Sequence, residues 1–95
     1  MDTVELDELE RLERAATPAP WTSWVEGRDH WSGDNFIGGP TRSDPDIYVR
    51  IQVEDGGWHP ASVADQDFIA AARNSLPRLI DEVHLSRAAR GDSDR

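Results

Sequence analysis

Apolar positions recur with two different periods along the chain, and the changes of period mark out its elements. From Asp2 to Ala16, the residues Val4, Leu6, Leu9, Leu12 and Ala16 gather near one side of a 3.6-residue repeat. Asp7, Glu8, Glu10, Arg11, Glu13 and Arg14 take the other side. This predicts an amphipathic helix, capped by Asp2 with Glu5 at the third position of a capping box. Thr17-Pro-Ala-Pro20 stops it, because two prolines one residue apart cannot continue a helix.

From Trp21 the period falls to two. Trp21 to Glu26 predicts a strand with Trp24 and Glu26 on one face and Trp21, Ser23 and Val25 on the other. Asp34 to Gly38 predicts a second strand around Phe36 and Ile37, and the glycine-flanked segment between them suggests a hairpin. In Asp46 to Val53, Ile47, Val49, Ile51 and Val53 alternate with Tyr48, Arg50 and Gln52, which predicts a strand with one buried and one wet face. Trp58-His59 starts a fourth short strand before Pro60.

At Ser62 the longer period returns. Ser62 and Asp65 fit a Ser-x-x-acid helix start, and Phe68, Ala72, Leu76, Leu79, Ile80 and Val83 form one apolar stripe. Pro77 interrupts that stripe and predicts either a kink or two segments, the second capped by Ser75. The expected fold is a single α+β domain over residues 1–89. It has an N-terminal helix, an antiparallel meander of three to four strands, and a kinked or split C-terminal helix packed on one face. Residues 90–95 are expected to form a disordered polar tail.

Composition narrows the partners. The net charge of −9 comes from 19 acidic residues against 10 basic ones, all arginine and scattered along the chain. Such a chain repels phosphate backbones and shows no basic stripe, so no nucleic-acid partner is expected. No apolar run reaches the roughly 18 residues of a membrane span. The opening MDTVELDELE resembles neither a signal nor a transit peptide, and cysteine is absent. A cytoplasmic location without membrane contact is the expectation.

Chemistry-bearing residues concentrate in Trp24 to Ile37. Glu26, Arg28, Asp29, His30, Trp31 and Asp34 are the candidate binding residues. A histidine beside carboxylates suits acid–base work, and an arginine suits a two-pronged grip on an anion. A structural or binding network is the favoured reading, with no catalytic residue assigned. Asp29, His30, Asp34 and His59 offer metal-ligand atoms at no recognised spacing, so neither metal nor cofactor is expected. Ser32 lies in Trp-Ser-Gly and not in a nucleophile elbow. Two or three of the four tryptophans are expected to fill the core, while Trp31, in the polar loop, is expected to mark a contact surface with His30 and Arg28.

The pieces ATPAPW at 16–21, WVEGRDHWSGDNFI at 24–37, DIYV at 46–49 and ADQDFIAAARNSLPRLIDEV at 64–83 resemble a group of small uncharacterised bacterial and phage-associated proteins. The group shares a Thr-Pro-x-Pro-Trp turn, an EGRDH-type segment and an Asp-x-Asp-Phe-Ile-Ala helix. Residues 38–45 and 53–60 depart from its pattern. The resemblance implies no assigned activity, but an accessory role of the inhibitor or immunity kind. The expected function is therefore a small, acidic, non-catalytic module that binds another protein. The alternative is binding or hydrolysis of a small nucleotide-like anion at Glu26–His30. A homodimer built on the helices is a further expectation.

Overall fold

The computed structural model describes residues 1–91. The elements follow in the order α1 (Thr3–Ala15), β1 (Thr22–Trp24), β2 (Phe36–Gly38), β3 (Arg50–Gln52), β4 (Trp58–Pro60) and α2 (Val63–Ala89), an α+β arrangement. Both helices start as the sequence predicts. The Asp2 carboxylate accepts the Glu5 N–H at 2.8 Å, and Ser62 Oγ accepts the Asp65 N–H at 3.1 Å. The turn after α1 contains a cis Ala19–Pro20 peptide. Of the expected tail, Arg90 caps α2 and Gly91 adopts φ +75°. Residues 92–95 lie outside the described part.

α2 is one continuous helix of 27 residues, so the expected split at Ser75 does not occur. Pro77 takes away the N–H that would meet the Arg73 carbonyl. The helix continues because Arg73 and Asn74 before the proline, and Ile80 after it, are held against the rest of the chain.

The expected meander is divided into two antiparallel two-stranded sheets, β1–β2 and β3–β4. In the first, Thr22, Ser23 and Trp24 face Gly38, Ile37 and Phe36; in the second, Arg50, Ile51 and Gln52 face Pro60, His59 and Trp58. A single bridge links β2 to the segment ahead of β3, in which Ile37 and Ile47 each donate their N–H to the other's carbonyl at 2.8 Å. Both neighbouring positions of that ladder are blocked. Opposite Gly39 stands Pro45, which has no N–H to give. Opposite Val49 stands Asn35, whose N–H donates to the Asp34 side chain, while the Val49 carbonyl accepts the Ala61 N–H. The strand expected over 46–53 is thereby reduced to Arg50–Gln52.

α2 covers one face of β1–β2. Val25 and Ile37 are buried there, and Ser23 bonds to α2. The buried line of α2 is Gln66, Ala70, Arg73 and Ile80. The predicted stripe is therefore split. Leu76, Ile80 and Val83 pack at least partly, whereas Phe68 is 72% exposed, Leu79 is 54% exposed, and Ala72 faces solvent. Polar side chains take the centre of the packed face because backbone carbonyls arrive there unpaired. Gln66 Nε2 donates to Trp24 O and Phe36 O, both at 3.1 Å, and to Ser23 Oγ at 3.0 Å. Arg73 donates to Thr17 O from Nε (3.1 Å) and Nη2 (3.0 Å), and to Glu13 Oε1 and Glu13 O at 3.2 Å. Asn74 reads both backbone groups of Trp21, accepting its N–H at 2.6 Å and donating to its carbonyl at 2.8 Å.

α1 runs antiparallel to α2. Arg87 reaches Met1 O, His84 pairs with Glu10, and Arg73 pairs with Glu13. Leu6 is the buried apolar residue of α1, while Val4 and Leu12 point away. The expected five-residue apolar face is narrower because Glu10 and Glu13 occupy part of the seam. None of the four tryptophans is buried, contrary to the expected core role. Sheet β1–β2 has one covered face, and strand alternation gives that face to Ser23, Val25 and Ile37. The radius of gyration is 17.1 Å, against about 12 Å for a compact chain of this length. The excess follows from α2, which at 1.5 Å per residue is about 40 Å long. No helix among the described residues is long and apolar enough to cross a membrane.

Candidate functional site

The segment from Val25 to Asn35 is tied by its own side chains. Asp29 Oδ2 accepts the Val25 N–H at 2.9 Å, and Asn35 Oδ1 accepts the Glu26 N–H at 2.8 Å. Glu26 Oε2 accepts the Gly33 N–H at 2.6 Å, and the Gly27 N–H donates to His30 O at 2.9 Å. Gly27 has φ +82°, a conformation that other residues adopt only with strain, and the Trp31 ring lies over it. Trp31 is left 83% exposed on a loop whose backbone is already fixed.

Arg28 fastens this loop to α2. Its Nη1 and Nη2 donate to Asp67 Oδ2 and Oδ1 at 2.8 and 3.0 Å, and its Nε donates to Asp29 at 3.0 Å. The two-pronged grip expected for a ligand is used on an internal carboxylate, which also accepts the Ser23 hydroxyl at 2.7 Å. Arg28, and after it Ser23, holds the Asp67 carboxyl down at about 2, and Arg28 and the Val25 N–H lower that of Asp29. Both folded values lie below the unfolded one of about 3.9. The clasp therefore contributes its full stability above that value and loses it as pH falls toward 2. The wild-type melting temperature should drop between pH 4 and pH 2, and Asp67→Asn should flatten part of that drop. Equal acid slopes for the two proteins in calorimetry would contradict the clasp.

His30 is held from one side. Its Nδ1 accepts the Ser32 N–H at 3.1 Å and lies 2.6 Å from Ser32 Oγ. The ring proton is thereby assigned to Nε2, which is buried without a hydrogen-bond partner. The Glu26 carboxylate approaches the same Nδ1, at 3.5 Å. Nucleophile activation needs the hydroxyl on one ring nitrogen and the orienting acid on the other. Here both face one nitrogen, and the arrangement closes a turn. Asp34 stands apart from Arg28 and accepts Arg50 Nη2 at 3.1 Å. His59 faces Asp55 at 3.4 Å. Among the described residues, no group of three or more His, Asp or Glu side chains is placed to hold a metal.

A second feature lies on the face of β1–β2 turned away from α2. Trp24 and Phe36 are direct cross-strand partners, with ring centroids 6.5 Å apart. Counted from the Ile37–Ile47 bridge, Tyr48 falls opposite Phe36, at 5.9 Å. The His30 ring meets Trp24 and Phe36 edge-on, at 6.4 and 5.2 Å. Gly38 leaves the Trp24 ring room to lie flat, since a Cβ there would come within 3.1 Å of Trp24 Nε1. Arg50 covers the Tyr48 ring at 5.4 Å, and on the same side of β3–β4 Trp58 stands opposite Gln52. Trp24, Tyr48 and Trp58 are exposed.

Glu26, Arg28, Asp29 and His30 thus come together as a loop network beneath Trp31, and Asp34 joins the aromatic face through Arg50. Sequence reasoning missed Trp24, Phe36 and Tyr48 as one face, and Asp67 as the partner of Arg28. The alternation of Trp24 and Tyr48 was readable, but the β1–β2 register and the Ile37–Ile47 bridge that align them were not. No protein-family model, no curated protein and no solved structure matches the chain.

Proposed function

We propose that this protein is a non-catalytic module that binds another protein through Trp31 and the adjoining aromatic face of Trp24, Phe36 and Tyr48. The observation that carries the reading is an exposed tryptophan on an internally bonded loop. A large aromatic side chain on a pre-ordered backbone loses little entropy on binding, which is the profile of an interface hot spot. The charge of −9 favours a partner with a basic surface and speeds their encounter. The likeness to phage-associated proteins extends the proposal to an accessory protein of the inhibitor or immunity kind, working in the cytoplasm. A nucleotide-like ligand is less well supported, because an anion arriving at Arg28 must displace Asp67 and Asp29.

The test begins with the partner recovered by co-purification from host lysate and identified by mass spectrometry. Trp31→Ala should weaken its affinity by about 2 kcal/mol, roughly thirtyfold, in calorimetry. The melting temperature should not move, since the ring is exposed. An unchanged affinity would take Trp31 out of the interface.

A further inference from the structure

The aromatic face already holds one cation, and that cation is the chain's own. Arg50 lies over the Tyr48 ring at 5.4 Å and donates from Nη2 to Asp34 Oδ2 at 3.1 Å. A guanidinium stacked on a ring with a carboxylate at its edge uses both its flat face and its N–H fork. Arg50 is held there loosely. It gives Asp34 one hydrogen bond, whereas Arg28 gives Asp67 two and Asp29 a third. The Arg50 and Asp34 side chains are 34% and 43% exposed, so water screens the pair and it adds little to stability. Arg50 is also carried by β3–β4, where every residue of both strands is exposed. It can therefore withdraw without opening the core.

The surroundings carry more negative charge than Arg50 neutralises. Trp24, Phe36 and Tyr48 form a row across three segments of chain. Counted on in the same registers, the next row is Glu26, Asp34 and Arg50, and the row on the other side is Thr22, Gly38 and Asp46. Three carboxylates thus flank the rings against one arginine. We propose that the position between Tyr48 and Asp34 is a guanidinium site for an arginine of the partner protein, and that Arg50 occupies it in the free chain. The inference rests on the protein-partner reading above and adds what that partner must carry. The incoming arginine takes the Tyr48 ring and the Asp34 carboxylate as Arg50 withdraws. Arginine is favoured over lysine, because a planar guanidinium lies flat on the ring while it donates sideways, and a compact ammonium does not. Arg50 also sets a threshold: a cationic surface that makes no contact beyond this one gains nothing by displacing it.

The probe is a capped peptide of four Gly-Arg repeats, with its lysine counterpart, titrated into the full chain at about 0.15 M salt. Binding is followed by NMR through the four tryptophan indole N–H signals. The Trp24 signal should shift, and that of Trp21, whose indole donates to Thr17 O, should not. Arg50→Ala should bind the arginine peptide about fivefold more tightly than wild type, because the internal competitor is gone. Arg78→Ala, which removes the same charge from an exposed position of α2, should leave the affinity as it was. On the Arg50→Ala background, Asp34→Asn and Tyr48→Leu should each undo the gain, with unchanged circular dichroism. The lysine peptide should bind about threefold more weakly than the arginine peptide. Weaker binding by Arg50→Ala than by wild type would overturn the inference. So would an equal gain from Arg78→Ala, equal affinity for the two peptides, or a Trp24 signal unmoved in Arg50→Ala at about 5 mM peptide. A recovered partner that Trp31→Ala weakens, but that is indifferent to Asp34→Asn and Arg50→Ala, would leave the protein-partner reading standing and remove this one.

Discussion

Arg73→Met should lower the unfolding free energy by about 3–5 kcal/mol, the usual result of removing one member of a buried, bonded ion pair. Arg73 is 9% exposed, and its four bonds end on Thr17 O, Glu13 O and the Glu13 carboxylate. Met fills the space but offers no donor, so two backbone carbonyls and a charge remain behind without partners. Its guanidinium also lies over the Trp21 ring at 5.7 Å, a contact that the thioether replaces only in part. A domain of this size has a total stability on the order of 5–10 kcal/mol, so the variant should be partly unfolded at 37 °C. Arg73→Lys should recover little, because an ammonium group cannot fork to two carbonyls and a carboxylate at once. Urea denaturation followed by circular dichroism measures the loss. A change below 1 kcal/mol would mean that α1 and the 17–21 turn are held by apolar contact instead.

Gln66→Met should cost about 2–4 kcal/mol. The side chain is 2% exposed, and its Nε2 is the donor shared by Ser23 Oγ, Trp24 O and Phe36 O. The substitution keeps length and volume, so the cost is that of buried acceptors left without a donor, about 1–3 kcal/mol each before relaxation. The loss should be visible locally as well. Trp24 and Phe36 are the cross-strand pair whose backbone Gln66 holds, so the fluorescence of the aromatic face should change before global unfolding. A variant as stable as wild type would show that β1–β2 docks on α2 through Val25, Ile37 and Ala70 alone.

These two residues show where sequence reading stopped. Helix starts were legible because caps are local: Asp2 with Glu5, and Ser62 with Asp65, each act within four residues. The short strand after Gly57 was legible for the same reason. The packed face of α2 was not, since hydrophobic periodicity points to Phe68 and Leu79, whereas the face is set by carbonyls arriving from residues 13, 17, 24 and 36. The division of the sheet turned on pairing positions, Pro45 against Gly39 and Asn35 against Val49, that exist only once the register is known. In the site, the residues Glu26 to Asp34 were found as a group because they are contiguous. Their roles were not readable, because the partner of Arg28 lies 39 positions away.

The central claim is that the 25–35 loop is fixed before any partner arrives, its charged groups spent on its own backbone and on α2. Amide hydrogen exchange in the free protein, resolved by residue, tests it most directly. The Val25, Glu26, Gly27 and Gly33 amides donate to Asp29, Asn35, His30 O and Glu26, and should exchange far more slowly than the unstructured chain, with Asp67→Asn speeding all four. Exchange of Gly33 and Glu26 at the unprotected rate in the wild-type protein would contradict it, leaving Trp31 on a loop that becomes ordered only on binding.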